Sequence, residues 1–194
     1  MDTVKARTAQ HISALKALDN TGRYVADPAY VCAELSAAED APYRKLVMLC
    51  YDRLAEELAR HVEKPDDASY PVWVSLTEGS GFPPPENGVT LHLEIPKDRI
   101  AFISTEKWSA VLDYRYVPKD EKDAKKHREM LAACGISDAK AMMSNFYPEI
   151  KREIIASWPR VFETEGLAKE LCFGLTWELR KEWLVKTELP SQTE

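Results

Sequence analysis

Arg7, Trp73, Ser75, His92, Glu94 and Glu178 are the residues whose types and spacing offer chemistry. Each falls on the polar phase of a stretch in which apolar and polar residues alternate, and Thr176 shares that phase. If those stretches are strands, all seven can stand on one sheet face. The set would supply a guanidinium for phosphate or carboxylate, an aromatic plate, hydroxyls, and two acids beside an imidazole. Glu178, Glu94 and His92 are the candidate catalytic groups. Arg7, Trp73 and Ser75 are the candidate cofactor-binding groups. The plainer alternative is the ordinary polar face of an antiparallel sheet. Trp73 stands against it, because a large aromatic on a nominally polar face needs a helix or a ligand to cover it.

No established catalytic signature accompanies these residues. Gly79-Ser80-Gly81 lacks the spacing of a phosphate-cradling loop, and neither a nucleophile elbow nor a zinc-protease motif occurs. Cys32, Cys50, Cys134 and Cys172 are widely spaced, with no His at ligand distance in sequence. Reduced, mostly buried cysteines and no structural metal are expected. The net charge of −6 gives no support to nonspecific nucleic-acid binding. No apolar run approaches the roughly 20 residues that span a bilayer, and the first ten residues lack a secretory signal's apolar segment. A cytoplasmic protein whose partner is a small molecule is expected, with no nucleic acid and no membrane.

The elements that must position the site read as follows. Val4, Ala6 and Thr8 mark a short first strand, and from Gln10 a helix runs to Asn20-Thr21-Gly22. Asp27-Pro28 starts a helical turn through Leu35. Glu39-Asp40-Ala41-Pro42 opens a helix that continues towards Val62. Tyr70 to Leu76, Val89 to Ile95, and Arg99 to Ser104 are strands, with Pro96-Lys97-Asp98 as a turn. The loop Thr77 to Gly88 is long for a hairpin, a common trait of binding lids and of mobile segments. Ser104 or Thr105 caps a helix whose Trp108, Val111 and Leu112 should pack on Val72, Val74, Leu91 and Leu93. Lys119 to Arg128 is a solvated, mixed-charge helix face ending near Gly135. A helical segment from Ser137 is interrupted at Pro148 and resumes to Pro159. Leu171 to Leu179 alternates strictly and reads as a strand, with Trp183 to Lys186 returning as its partner. The class is α+β: a small mixed or antiparallel sheet of about five to six strands, packed with several α-helices. Residues 1–189 form a single domain, and 190–194 a frayed tail.

Several of these landmarks line up with one family. Arg7-Thr8-Ala9-Gln10 followed by Gly22 resembles its opening L-W-T-x-Q strand, helix and glycine. Pro71-Val72-Trp73 and Leu91-His92-Leu93-Glu94-Ile95-Pro96 resemble its central motifs. Trp108 to Leu112, Ser157 to Phe162 and Thr176-Trp177-Glu178-Leu179 resemble its later ones. On these residues the chain resembles a bacterial family known as domain of unknown function 3841. The family's first-strand Trp is replaced here by Arg7. The resemblance implies a fold and a cytosolic bacterial origin, and no established activity.

Two functional readings follow. An opening strand with Arg, central strands and a late strand with Glu is similar in outline to ADP-ribosyltransferases. That likeness implies a small-ligand or nucleotide-binding enzyme, with NAD as cofactor. Arg7 would hold the pyrophosphate, Trp73 would pack on a ring, and Glu178 would orient the ribose and stabilise positive charge. The alternative is a noncatalytic regulatory or protein-interaction module that uses Met142, Met143, Phe146 and Tyr147, for which core packing is the plainer account. Convergence of Arg7, Glu94 and Glu178 discriminates between them.

Overall fold

A computed structural model describes residues 2–29, 41–78, 85 and 87–189. The expectations for Cys32, the Glu39-Asp40 helix start, the turn beyond Ala29, most of the loop after Thr77, and the tail from Pro190 lie outside those residues.

The first strand is longer than its alternation suggested: β1 is Thr3–His11 and α1 is Ile12–Thr21. His11 caps α1, its Nδ1 accepting from the Ser13 amide at 3.3 Å. Gly22 closes the helix at φ 74°, donating its amide to the Leu18 carbonyl at 3.0 Å, a conformation that favours glycine. The chain continues through β2 (Arg23–Val25), α2 (Ala41–His61), β3 (Val72–Ser75), β4 (Gly88–Pro96) and β5 (Ala101–Ser104). It then forms α3 (Thr105–Leu112), α4 (Glu121–Cys134), α5 (Asp138–Met143) and α6 (Pro148–Ser157). Ser104, Asp120 and Ser137 each cap the helix that follows by accepting a first-turn amide. Pro148 begins α6, where its missing N–H costs nothing, so the break at that proline separates two helices. β6 (Cys172–Thr176), β7 (Glu178–Arg180) and β8 (Leu184–Glu188) complete the chain.

Six strands form one antiparallel sheet in the order β5-β6-β3-β1-β4-β8, and β2 pairs with β7 in a second, two-stranded sheet. The class is α+β, as expected. Residues opposite one another in an antiparallel pair share a face. One face carries Ala6, Val72, Val74, Leu91, Leu93 and Ile95, which pack with Leu18 of α1 and with Ile100, Leu179 and Trp183. The other face carries Ala101, Ile103 and Leu175, packed with Leu54 and Leu58 of α2, Trp108 and Val111 of α3, and Ile150 and Ile154 of α6.

Three expectations are corrected here. Trp108 and Val111 pack on the face opposite Val72, Val74, Leu91 and Leu93, whose cover is α1. Alternation distinguishes two faces but carries no information about which distant helix covers which. Residues 171–179 are not one strand: the ladder stops at Thr176, Trp177 is a bend, and β7 pairs with β2. Phe173, Leu175 and Trp177 belong to one core and Leu179 to the other, so the regular alternation conceals a change of direction. Finally, β8 pairs with β4. The 3-10 turn Lys181–Trp183 carries the chain away from β7 to the far edge of the sheet.

Candidate functional site

The register brings five predicted site residues onto one face. Arg7 of β1 lies opposite Ser75 of β3 on one side and His92 of β4 on the other. His92 in turn lies opposite Lys186 of β8. Glu94 is two residues from His92 on the same face, opposite Lys5. Trp73, two residues before Ser75, shares the face as well. Thr176 does not, because it is buried opposite Val72 on the other side of the sheet.

Trp73 is covered by the protein itself. Its ring centroid lies 5.4 Å from that of Trp108, 5.7 Å from Phe173 and 6.3 Å from Tyr51 of α2. The helices answer the demand for cover that its polar-phase position raised. Ser75 beside it is buried. From β1 onward the same face changes character. Arg7 and His92 are half-buried, while Lys5, Glu94, Lys186 and Glu188 are exposed.

Glu188 organises the outer end of this row. Its Oε1 lies 2.5 Å from Lys186 Nζ and 3.3 Å from His92 Nε2. His92 Nε2 is itself buried, and its contact with Glu188 lacks the alignment of a hydrogen bond. The Lys186 ammonium, then the His92 ring, hold the Glu188 carboxyl below the usual carboxylate range. Glu188 in turn raises Lys186. Glu94 makes no ion pair among the described residues. Lys97 pairs with Asp2 at 2.5 Å and Arg99 with Glu63 at 3.1 Å.

Glu178 stands elsewhere, on β7 opposite Val25 of the second sheet. It is buried, and each carboxylate oxygen has an arginine partner: Oε1 accepts from Arg180 Nε at 2.6 Å and Oε2 from Arg23 Nε. The other two Arg23 nitrogens grip Asp67 at 2.7 and 2.9 Å. Burial alone would push the Glu178 carboxyl up. The hydrogen bonds and charges of Arg180 and Arg23 outweigh it and leave the group below its ordinary value. Arg23 is raised, first by Asp67 and then by Glu178. An acid held by two arginines in this way joins strands, and the structure does not bring it into the Arg7 row.

The sequence reading passed over Lys186, Glu188, Arg23 and Asp67. The alternation of Val185-Lys186-Thr187-Glu188 was the available signal for the first two. It also treated His127 as one charge on a solvated helix. That side chain is buried, its Nε2 2.7 Å from Asp138 Oδ1 and its ring stacked 4.1 Å from Tyr116. Tyr116 covers the ring, and the Tyr116 amide also donates to Asp138 at 3.1 Å, so this His–Asp pair ties α4 to α5 and to the chain before α4. Among the described residues no cluster of His, Cys, Asp and Glu is arranged to hold a metal ion. Nor is any of their helices long and apolar enough to cross a membrane.

The model of a family described as Domain of unknown function (DUF3841) matches residues 7–185, most of the chain and every residue of the row except Lys5, Lys186 and Glu188. No curated protein and no solved structure matches.

Proposed function

The chain belongs to the DUF3841 family, and from that premise we propose that it is a cytoplasmic protein that binds a small anionic ligand on the open half of its large sheet. One observation carries the reading. The row already accommodates a carboxylate, the chain's own Glu188, between Lys186 and His92, with Arg7 next in register. A ligand phosphate or carboxylate replacing Glu188 meets an ammonium, an imidazole and a guanidinium on three adjacent strands. Nucleotides are the favoured class, because Arg7 provides the planar fork that suits phosphate.

The enzymatic form of this reading is ADP-ribosyl transfer from NAD. Its acid is better supplied by Glu94, on the ligand's own face, than by Glu178, whose oxygens are occupied by Arg23 and Arg180. The noncatalytic module has one observation in its favour. Phe146 is 88% and Met143 62% exposed, although Met142 of the same cluster is core.

Thermal unfolding against phosphate, NAD, ATP and ADP-ribose tests the proposal. A bound anion at a hundredfold excess over Kd should raise Tm by about 5–10 °C. Arg7→Ala and Lys186→Ala should remove the shift, and Glu188→Gln should move it to lower ligand concentration. Equal shifts in all three variants, or none in the parent at millimolar ligand, would sink the reading.

A further inference from the structure

A second site lies within the helical layer, away from the open half of the sheet. Between α2 and the segment running from the end of α6 through the 3-10 turn Trp158–Phe162 is a cleft of about 160 Å³. Its floor is apolar, made by Leu54, Trp108, Val111 and Val161, all buried. An apolar cavity of about 150 Å³ accepts one benzene ring. The floor is therefore sized for one six-membered ring or a branched alkyl group.

The rim is charged and comes from one face of α2. Arg53, Glu56, Glu57 and Arg60 follow one another at spacings of three, one and three residues, which stacks them along one side of the helix. Arg53 pairs with Glu56 at 2.7 Å and Arg60 with Glu57 at 3.0 Å. Two cations and two anions sum to zero, so the rim has no preference for a ligand of one sign. It complements a molecule that carries both. Phe162 also lines the cleft, its ring stacked 4.4 Å from His61.

Cys50 lies in the floor but does not make the cleft a reactive site. Its thiol donates to the Val111 carbonyl at 3.4 Å, and burial pushes its pKa up to about 12. It stays a thiol at neutral pH and does not attack a ligand.

We propose that this cleft binds a small zwitterion with one ring-sized apolar group. The ring lies on Leu54 and Trp108, the ammonium faces Glu56 and Glu57, and the carboxylate faces one of the two arginines that flank them, Arg53 or Arg60. An aromatic amino acid has this chemistry, and L-phenylalanine is the probe. Amide chemical shifts of the full chain titrated with L-phenylalanine should saturate with a Kd of about 1 mM or tighter. Phenethylamine and 3-phenylpropionate keep the ring and one charge each, and both should bind about tenfold more weakly. The exposed Ala156 lines the mouth, and Ala156→Trp fills it without disturbing the core, so it should abolish binding. The paired change Glu56→Gln with Glu57→Gln should weaken phenylalanine and leave 3-phenylpropionate at least as tight. Equal binding of all three probes overturns the proposal, as does tighter binding of a singly charged one. Absence of saturable shifts, or shifts that Ala156→Trp leaves unchanged, overturns it too.

Discussion

The two halves of one sheet face differ more than the two faces do. Across β5, β6 and β3 the face bears Ile103, Leu175, Phe173 and Trp73, and helices cover it. Across β1, β4 and β8 the same face bears Arg7, Lys5, His92, Glu94, Lys186 and Glu188, and most of these are exposed. Ser75 and Arg7, directly opposite each other, mark the boundary. An antiparallel sheet can be buried on one side at one end and solvated at the other, because each strand sets its own alternation. A polar phase read from one strand therefore does not extend to its neighbours. That is why Trp73, on the polar phase of its strand, is partly buried against Trp108, Phe173 and Tyr51.

Substitutions can break this contrast. Leu175→Ala, at a fully buried position of the covered half, should cost about 2–5 kcal/mol in urea unfolding. A loss below about 1 kcal/mol would mean that the helices do not seal that half.

A smaller effect is expected where the two sheets meet. Glu178→Gln should cost about 1–3 kcal/mol, because Arg23 and Arg180 lose a charged acceptor. The sign with pH is fixed by the depressed carboxyl. Its contribution is complete above the unfolded chain's pKa, about 4.3, and disappears as pH falls through the lower folded value. Parent and variant should therefore differ most at neutral pH and converge in acid. A constant difference down to pH 3 would assign the effect to packing rather than charge. Smallest of all, Lys5→Ala on the open half should change stability by no more than about 0.5 kcal/mol. A larger loss would show that something covers that half.

The legible parts of this fold are those governed by neighbours in sequence. Val89-x-Leu91-x-Leu93-x-Ile95 gave β4 and its buried face, and Gly22 and Gly135 ended helices as left-handed caps. What the sequence withheld depends on residues far apart. The cover of Leu93 by α1, the pairing of β7 with β2, and the placing of β8 beside β4 are long-range choices with no local signature. The candidate site divides in the same way. Arg7, Ser75, His92 and Glu94 share a face because alternation and register agree. Glu178 fell out because the chain bends at Trp177, within a stretch whose composition shows no break.

That bend also bears on how the protein is made. β6 lies between β3, which precedes it by about 100 residues in chain order, and β5, which precedes it by about 70, and Trp177 just beyond it donates its indole N–H to the Val62 carbonyl at the end of α2. Synthesis proceeds from the N-terminus at about 5–20 residues per second. Until residues 172–176 are made, β3 carries an open edge, β5 has no strand partner, and neither core has its last wall. The nascent chain is therefore obliged to wait for β6 and Trp177 before the sheet can close, and a ribosome stalled short of Trp177 would hold an adhesive intermediate rather than a smaller stable domain.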